Sequence, residues 1–137
     1  MSSHKSSSNM TAIVVDDDKD TIDLFSEFLE LKGINIIGKG YDGKEAIDLY
    51  VSLRPDVIFL DVMMDRFDGL YALEKIKNID PDANVIMVTA DLSKYTHEKI
   101  TNLRASATIL KPYEIDEVMH AINNISRTMV CEIWGPN

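Results

Sequence analysis

The chain has 137 residues, of which 45% are hydrophobic, and its formal net charge at pH 7 is −9. This length suits a single domain, and the hydrophobic fraction is sufficient for a buried core. The acidic charge argues against direct binding to nucleic acid, which usually requires a basic face, and is compatible with a metal cation or a basic protein partner. No apolar run approaches the roughly 20 residues that a membrane span requires. The single cysteine, Cys131, excludes an internal disulfide and fits a reducing, cytoplasmic location.

Residues 1–9 are polar and rich in serine, and we expect them to form a disordered leader or a tag remnant outside the fold. Residues 10–127 carry the periodic pattern of one domain, and residues 128–137 fit no element and are interpreted as a C-terminal tail. In chain order, the predicted elements are strand 12–15, helix 18–32, strand 34–37, helix 43–53, strand 57–60, helix 69–78, strand 85–88, helix 93–103, strand 107–110 and helix 114–125.

Several local signals support these boundaries. Gly33 favours a stop after the first helix, while Asp42 and Asp68 are suited to cap the second and third helices. The second helix is expected to bury a stripe of Ala46, Tyr50 and Leu53. The fourth helix has the sparsest apolar face, consisting of Tyr95, Ile100 and Leu103.

The alternation of strands and helices determines the fold class. Parallel strands need crossover helices, and right-handed crossovers leave few arrangements open. We therefore predict an α/β fold with a doubly wound, five-stranded parallel sheet, flavodoxin-like in its strand order 2-1-3-4-5. The four-residue apolar run 57–60 is typical of a strand that is buried on both faces.

Chemically useful side chains follow the ends of four predicted strands. Asp16 to Asp18 follow the first strand, Asp61 the third, Thr89 to Asp91 end the fourth, and Lys111 follows the fifth. In a doubly wound sheet these ends share one edge, where ligands bind. Taken singly, such residues are most often helix caps, strand residues or solvated lysines. Their joint placement on one edge indicates a functional cleft.

The charges of this cleft indicate the chemistry. Neighbouring carboxylates repel one another, and a divalent cation removes that conflict. Ligands that are all oxygen atoms, in an incompletely enclosed site, suit Mg²⁺ and leave room for water and a phosphate oxygen. Lys111 and the Thr89 hydroxyl can hydrogen-bond to the parts of a ligand that Mg²⁺ does not reach. The set therefore suits phosphoryl transfer onto Asp61.

Four segments together resemble the receiver domain of two-component response regulators. They are 13–18 with its acidic pair, 60–64 followed by Asp68-Gly69, 88–90 with its threonine, and 110–113 with Lys-Pro. Each segment alone is weak, but all four occur in the family's order and spacing. The resemblance extends from about residue 10 to residue 125, so that 10–127 would be a receiver domain.

The resemblance implies a role for each strand-end residue. Asp61 would accept a phosphoryl group from a phosphohistidine of a sensor histidine kinase or of a phosphotransfer protein. Thr89, Ala90 and Lys111 would contact the phosphoryl group and act in switching, and the Lys111–Pro112 bond is often cis in this family. The domain would not be an enzyme beyond its own phosphorylation and dephosphorylation. The implied Mg²⁺ ligands are Asp16, Asp17, Asp61 and the backbone carbonyl of Met63.

The sequence departs from the family pattern at three positions. Asp65 replaces the usual proline, which would loosen the loop after Asp61 and add a carboxylate near the site. Arg104 replaces a glycine before the fifth strand. Thr108 replaces the aromatic partner of the switch threonine, so we expect the output surface to switch differently, and Tyr113 to serve in packing.

Dephosphorylation and output complete the expectations. Asp91 is the candidate to orient the attacking water, since the Met63 thioether cannot do so and Ala90 leaves access open. The default partner face consists of the fourth helix, the fifth strand and the fifth helix, where His97 and His120 are expected to be ordinary surface residues. We expect the downstream partner to be a protein and not nucleic acid. The chain suits either a stand-alone regulator or part of a longer protein.

Alternatives from other classes have weaker support. Asp16, Asp18 and Asp20 with Glu27 match part of a calcium-binding EF-hand loop, but Thr21 occupies the glycine position and a strand precedes it. A haloacid-dehalogenase-type phosphohydrolase would require an acid two residues after its nucleophile, where Asp61 has Met63. A phosphorylation-independent interaction module with the same fold remains open.

Overall fold

The computed structural model describes residues 10–134, and in this part of the chain five parallel strands form one sheet in the order β2-β1-β3-β4-β5. All five predicted strands and all five predicted helices are present, so the predicted fold class is confirmed. Residues 1–9, the predicted leader, lie outside the described residues. The elements are β1 Thr11–Val15, α1 Lys19–Leu31, β2 Asn35–Gly40, α2 Gly43–Leu53, β3 Val57–Asp61, α3 Gly69–Ile79, β4 Val85–Thr89, α4 Lys94–Asn102, β5 Ala107–Leu110 and α5 Ile115–Trp134.

Helices cover both faces of the sheet and create two apolar layers. Because side chains alternate along a strand, Phe59 of β3 packs in the layer with α1 and α5, and Leu60 packs in the layer with α2, α3 and α4. All five residues of β3 are buried. A central strand buried on both faces requires a continuous apolar run, which explains why residues 57–60 lack polar alternation.

Aspartates begin three of the helices. The carboxylates of Asp42 and Asp68 accept hydrogen bonds from the backbone N–H groups of Glu45 and Tyr71, at 2.8 and 3.0 Å, which confirms both predicted caps. Asp18 caps α1 in the same way through the N–H of Thr21. Each cap satisfies a donor that the helix itself leaves without a partner. The first-helix stop is also confirmed, since Gly33 follows α1 with a φ of 89°.

The last helix is longer than the predicted range 114–125. α5 continues to Trp134, so most of the predicted tail, residues 128–137, extends the last helix, and only 135–137 lie outside the described residues. In the sequence, apolar residues at helical spacing continue beyond Ile125 at Met129, Val130 and Ile133, which is consistent with the longer helix. Within residues 10–134, no helix combines the length and hydrophobicity needed to cross a membrane.

Two predicted helix faces also differ in detail. Tyr95 of α4 is 66% exposed, whereas Thr96 and Ile100 are buried. In α2, Leu53 is 42% exposed, although Ala46 and Tyr50 are buried as predicted. In each helix the exposed residue lies at one end of the predicted apolar face, so periodicity alone overestimates its burial.

Arg104 precedes β5 in a left-handed conformation, with a φ of 61°. The resemblance places a glycine at this position, and glycine adopts this conformation without steric cost. The turn geometry is therefore retained although the glycine is not.

Candidate functional site

Four adjacent strands deliver the predicted groups to one edge of the sheet. Asp16 follows β1 directly, Asp61 is the last residue of β3, Thr89 is the last residue of β4, and Lys111 follows β5 directly. These strands are neighbours in the sheet and all run in the same direction. Their carboxyl ends therefore meet, as the sequence predicted, at the edge where open α/β sheets bind ligands.

Lys111 bridges the two buried carboxylates of this edge. Its Nζ lies 3.1 Å from Asp61 Oδ2 and 3.3 Å from Asp16 Oδ2. Asp61 and Asp16 are only 8% and 6% exposed. The peptide bond between Lys111 and Pro112 is cis, as the resemblance implied. One ammonium group thus holds carboxylates from two strands, and the three charges sum to −1.

The charges of these groups perturb one another. Burial raises the pKa of the Asp16 carboxyl above its usual value, and the neighbouring Asp61 adds to the increase, while the N–H of Asp18 opposes it. Burial also disfavours the ammonium form of Lys111, but hydrogen bonding and attraction to Asp61 and Asp16 outweigh it, so the pKa of Lys111 is raised. The ionised form of Asp16 is therefore disfavoured in the folded protein, and a further cation would stabilise it.

Backbone amides hold the other carboxylate oxygens. Asp61 Oδ1 accepts a hydrogen bond of 3.1 Å from the N–H of Met63, and Asp16 Oδ1 accepts one of 2.9 Å from the N–H of Asp18. Each buried carboxylate is thus fixed on one oxygen by the chain that follows it and on the other by Lys111. Such fixation orients the groups before any ligand arrives.

Asp17 differs from its two acidic partners because it is exposed and does not contact Lys111. Its Oδ2 accepts a hydrogen bond of 3.2 Å from the backbone N–H of Asp65, in the loop between β3 and α3. Proline, expected at position 65 from the resemblance, has no N–H and could not make this bond. The residue that replaces the expected proline therefore gives the loop a hydrogen bond to Asp17.

The end of β4 faces a different neighbour. Thr89 is 1% exposed, and its hydroxyl oxygen accepts a hydrogen bond of 2.9 Å from the N–H of Asp91. The carboxylate of Asp91 in turn accepts bonds from the N–H of Ser93 and the hydroxyl of Thr96, at 2.8 and 2.6 Å. These bonds lower the pKa of Asp91. Ala90 is exposed beside them. Thr89, Ala90 and Asp91 thus lie at the same edge without contacting the cluster of Lys111, Asp16 and Asp61.

The donor set fits Mg²⁺ in its chemistry, since the carboxylates of Asp16, Asp17 and Asp61 supply only oxygen atoms and two of them are buried beside a single ammonium. Among the side chains that the structure describes, no three acidic, histidine or cysteine groups converge closely enough to enclose a cation. Lys111 lies between two of the carboxylates, within 3.1 Å of Asp61 Oδ2 and 3.3 Å of Asp16 Oδ2, and keeps them paired to its ammonium group.

The aromatic and histidine residues near the site have structural positions. The ring of Tyr113 packs edge-on against Phe25 with centroids 5.6 Å apart, which confirms the predicted packing role. Thr108 is partly buried in β5 opposite Met87, so no aromatic ring occupies that strand position. His97 and His120 are exposed, as predicted.

The EF-hand alternative does not fit the structure. Asp16 directly follows β1 and α1 begins at Lys19, so a strand, and not a helix, precedes the acidic segment. Asp18 and Asp20 belong to the cap and first turn of α1. Their carboxylates serve the start of that helix instead of converging on one ion.

The amide of Asp65 was the site contribution that the sequence did not reveal. It acts through a backbone N–H, which every residue except proline carries, so residue type gives no signal for it. The absence of proline at this position was the one available indication.

Comparison with known proteins gives a consistent result. The family model described as the response regulator receiver domain matches residues 12–123. Protein CcdB of Bacillus subtilis is 37% identical over 113 residues, covering 82% of this chain and 94% of that protein. The chemotaxis protein CheY of Bacillus subtilis is 30% identical over 111 residues, covering 81% of this chain and 92% of that protein.

Solved structures agree with this comparison. A chain of the CheX–CheY–BeF3–Mg²⁺ complex from Borrelia burgdorferi superposes with a TM-score of 0.80 at 27% identity, covering 85% of this chain and 88% of that chain. A CheY-like receiver domain protein from Methanospirillum hungatei superposes with a TM-score of 0.85 at 23% identity, covering 90% and 98%, and shares the fold.

Proposed function

The chain belongs to the response regulator receiver domain family, and on this premise we propose that Asp61 accepts a phosphoryl group and thereby switches a protein-interaction surface. The observation that carries the proposal is the contact of Lys111 with Asp61 and Asp16 at the carboxyl edge of the sheet. Two fixed carboxylates and one ammonium in a cleft suit phosphoryl transfer, which depends on positioning and charge stabilisation.

In the proposed reaction, a carboxylate oxygen of Asp61 forms a bond to phosphorus while the phosphorus–nitrogen bond of a phosphohistidine breaks. The leaving imidazole keeps the electron pair and regains a proton, and Asp61 becomes an acyl phosphate. Lys111 already lies 3.1 Å from Asp61 Oδ2. Its ammonium is thus positioned to donate hydrogen bonds to the negative phosphoryl oxygens.

Asp16, Asp17, Asp61 and the backbone carbonyl of Met63 would hold Mg²⁺. When bound, this ion neutralises charge on the phosphoryl oxygens and offsets the repulsion among the carboxylates. The similar structure from Borrelia burgdorferi is a CheX–CheY complex with BeF3 and Mg²⁺, which supports the same ion here.

The proposed partners are proteins. A sensor histidine kinase or a phosphotransfer protein supplies the phosphoryl group, and a downstream protein recognises the modified surface. The formal charge of −9 disfavours direct contact with nucleic acid. The domain serves as a signalling module, and the only reactions proposed for it are phosphorylation and hydrolysis at Asp61.

Thr89 and Ala90 are proposed to contact the phosphoryl group. For this contact, the Thr89 hydroxyl would have to give up its hydrogen bond with the Asp91 amide and bond to a phosphoryl oxygen instead.

Asp91 is proposed to orient the water that hydrolyses the acyl phosphate. Its carboxylate bonds to Ser93 and Thr96 fix its orientation. In the variant Asp91→Ala we expect slower decay of the phosphorylated form, and an unchanged decay rate would remove this role.

Intact mass spectrometry tests the central proposal. The protein is incubated with Mg²⁺ and a small acyl-phosphate donor, beside Asp61→Asn and the control Asp48→Asn, whose carboxylate is exposed on α2. We expect the wild type and the control to gain about 80 Da, one phosphoryl group. The gain should disappear in Asp61→Asn and in the presence of a chelator.

A different result would favour the alternative function. If neither a small donor nor a phosphorylated histidine kinase domain adds mass to the wild type, Asp61 is not a phosphoacceptor. The chain would then act as a phosphorylation-independent interaction module with the same fold.

A further inference from the structure

We propose that the backbone amide of Asp65 is a positioning group, which holds the Asp17 carboxylate in the orientation that receives a divalent cation. The inference rests on the proposed function, because that function places Asp17 among the cation ligands. It adds a residue that acts through its main chain.

Asp17 lacks the fixation that its partners have. Asp16 and Asp61 are buried and bound to Lys111, whereas Asp17 is exposed. Among the described residues, the bond from the Asp65 N–H to Oδ2, at 3.2 Å, is the hydrogen bond that the Asp17 carboxylate makes. An exposed carboxylate without such a bond would exchange among rotamers, and a ligand would have to order it on binding.

The loop that carries Asp65 binds carboxylates from two strands. Its second residue, Met63, donates an N–H to Asp61 Oδ1 at 3.1 Å, and its fourth, Asp65, donates to Asp17 Oδ2. The loop therefore spans from the end of β3 to the acidic residues after β1. A single short segment thus sets the positions of two of the three acidic side chains relative to each other.

The end of this loop that leads into α3 is held by backbone hydrogen bonds that do not involve Asp17. The N–H of Gly43, at the start of α2, donates to the carbonyl oxygen of Phe67 at 2.5 Å. The N–H of Gly69 donates to the carbonyl oxygen of Val62 at 3.0 Å. A Cβ atom on residue 43 would lie 2.0 Å from Phe67 O, so this contact requires glycine. The Asp65 amide is consequently presented on a loop fixed at both ends.

The contribution of the Asp65–Asp17 hydrogen bond to Mg²⁺ affinity is large enough to measure. A hydrogen bond to a charged group at an exposed position contributes on the order of 1 kcal/mol, which corresponds to about a fivefold change in an equilibrium constant. Replacing Asp65 by proline removes the N–H, and replacing it by alanine keeps the N–H while removing the same carboxylate. The pair of variants therefore separates the amide bond from the side-chain charge.

Isothermal titration calorimetry with Mg²⁺ alone measures the effect without any phosphoryl donor. We expect Asp65→Pro to bind Mg²⁺ about fivefold more weakly than Asp65→Ala, with both variants keeping the far-ultraviolet circular dichroism of the wild type. Equal Mg²⁺ affinities in the two variants, or the absence of Mg²⁺ binding to the wild type, would overturn the inference.

Phosphorylation kinetics distinguish positioning from general damage. The Mg²⁺ concentration for half-maximal phosphorylation should rise in Asp65→Pro, while the rate at saturating Mg²⁺ stays close to that of Asp65→Ala. A lower saturating rate with an unchanged half-maximal concentration would contradict positioning. If the proposed function is wrong but the positioning role is right, the wild type binds Mg²⁺ and is not phosphorylated.

A second variant tests the bond should proline at residue 65 prevent folding. Asp17→Ala removes the acceptor and leaves the loop sequence intact. Amide hydrogen exchange measured by nuclear magnetic resonance should then be faster at residue 65 than in the wild type, with Gly43 unchanged as an internal reference. Unchanged exchange at residue 65 would show that no such bond exists in solution, and would overturn the inference.

Discussion

Lys111 and Asp16 lie 95 residues apart in the sequence and form an ion pair of 3.3 Å. The same ammonium bonds to Asp61, so it links the carboxyl ends of β1, β3 and β5. Two buried carboxylates would repel each other strongly without this cation. The site is thus held together by one lysine and retains an excess negative charge that a metal ion can neutralise.

Removing the Lys111 charge should weaken the fold. In Lys111→Met we expect the free energy of unfolding to fall by about 1–3 kcal/mol, because two buried carboxylates lose their counter-ion. Urea unfolding with and without millimolar Mg²⁺ measures this, and Mg²⁺ should restore more stability to the variant than it adds to the wild type. The control Lys94→Met, which removes an exposed lysine 4.0 Å from Glu98, should change stability by less than about 0.5 kcal/mol. Equal losses in the two variants would contradict a special role for Lys111.

Asp16 should reduce the stability of the fold at neutral pH. Its pKa is raised in the folded state, so the folded protein binds the proton more readily than the unfolded chain. The resulting penalty is complete above the raised pKa, and it disappears as the pH falls from there to the ordinary value of 3.8.

The variant Asp16→Asn should therefore be more stable than the wild type at pH 7, by on the order of 1 kcal/mol, and should bind Mg²⁺ more weakly. The stability advantage should shrink as the pH is lowered towards 3.8. Thermal unfolding as a function of pH measures it, with Asp20→Asn, an exposed residue in the first turn of α1, as the control. An Asp16→Asn protein less stable than the wild type at pH 7 would contradict the sign of this effect.

Gly43 should not tolerate a side chain. In Gly43→Ala the added Cβ would meet Phe67 O at 2.0 Å and Asp68 O at 2.7 Å. Because both are backbone atoms, the loop must move, and we expect a loss of about 1–3 kcal/mol in the free energy of unfolding. At Gly38 an added Cβ would meet the end of the Leu53 side chain at 3.2 Å. Gly38→Ala should therefore cost less in the same denaturation measurement, and a reversed order would show that the loop is not held at Gly43.

Ser26 should be replaceable with a gain in stability. It is 1% exposed on α1, and its hydroxyl has no hydrogen-bond partner among the described residues. A buried hydroxyl without a partner costs on the order of 1 kcal/mol. We expect Ser26→Ala to increase the free energy of unfolding by about that amount beyond the effect of Ser52→Ala. The latter substitution, at an exposed position of α2, measures helix propensity alone. Equal effects at both positions would mean that Ser26 is satisfied in solution.

The sequence by itself determined the element order, the sheet and the chemical character of one of its edges. Apolar runs such as 57–60 are typical of central strands, aspartates before helices act as caps, and crossovers between parallel strands are right-handed. These local and topological rules place four side chains at a common edge of the sheet, namely Asp16, Asp61, Thr89 and Lys111. The resemblance then added the cis bond before Pro112, which the structure contains.

Only the tertiary structure decided which of these groups touch. It placed Lys111 between Asp16 and Asp61, turned the Thr89 hydroxyl towards the amide of Asp91, and brought the Asp65 amide to Asp17. Contact depends on side-chain rotamers and on backbone donors, and the backbone donors are the same for nearly every residue type. Sequence patterns therefore identify the edge of the sheet, while packing of the loops around that edge selects the bonds within it.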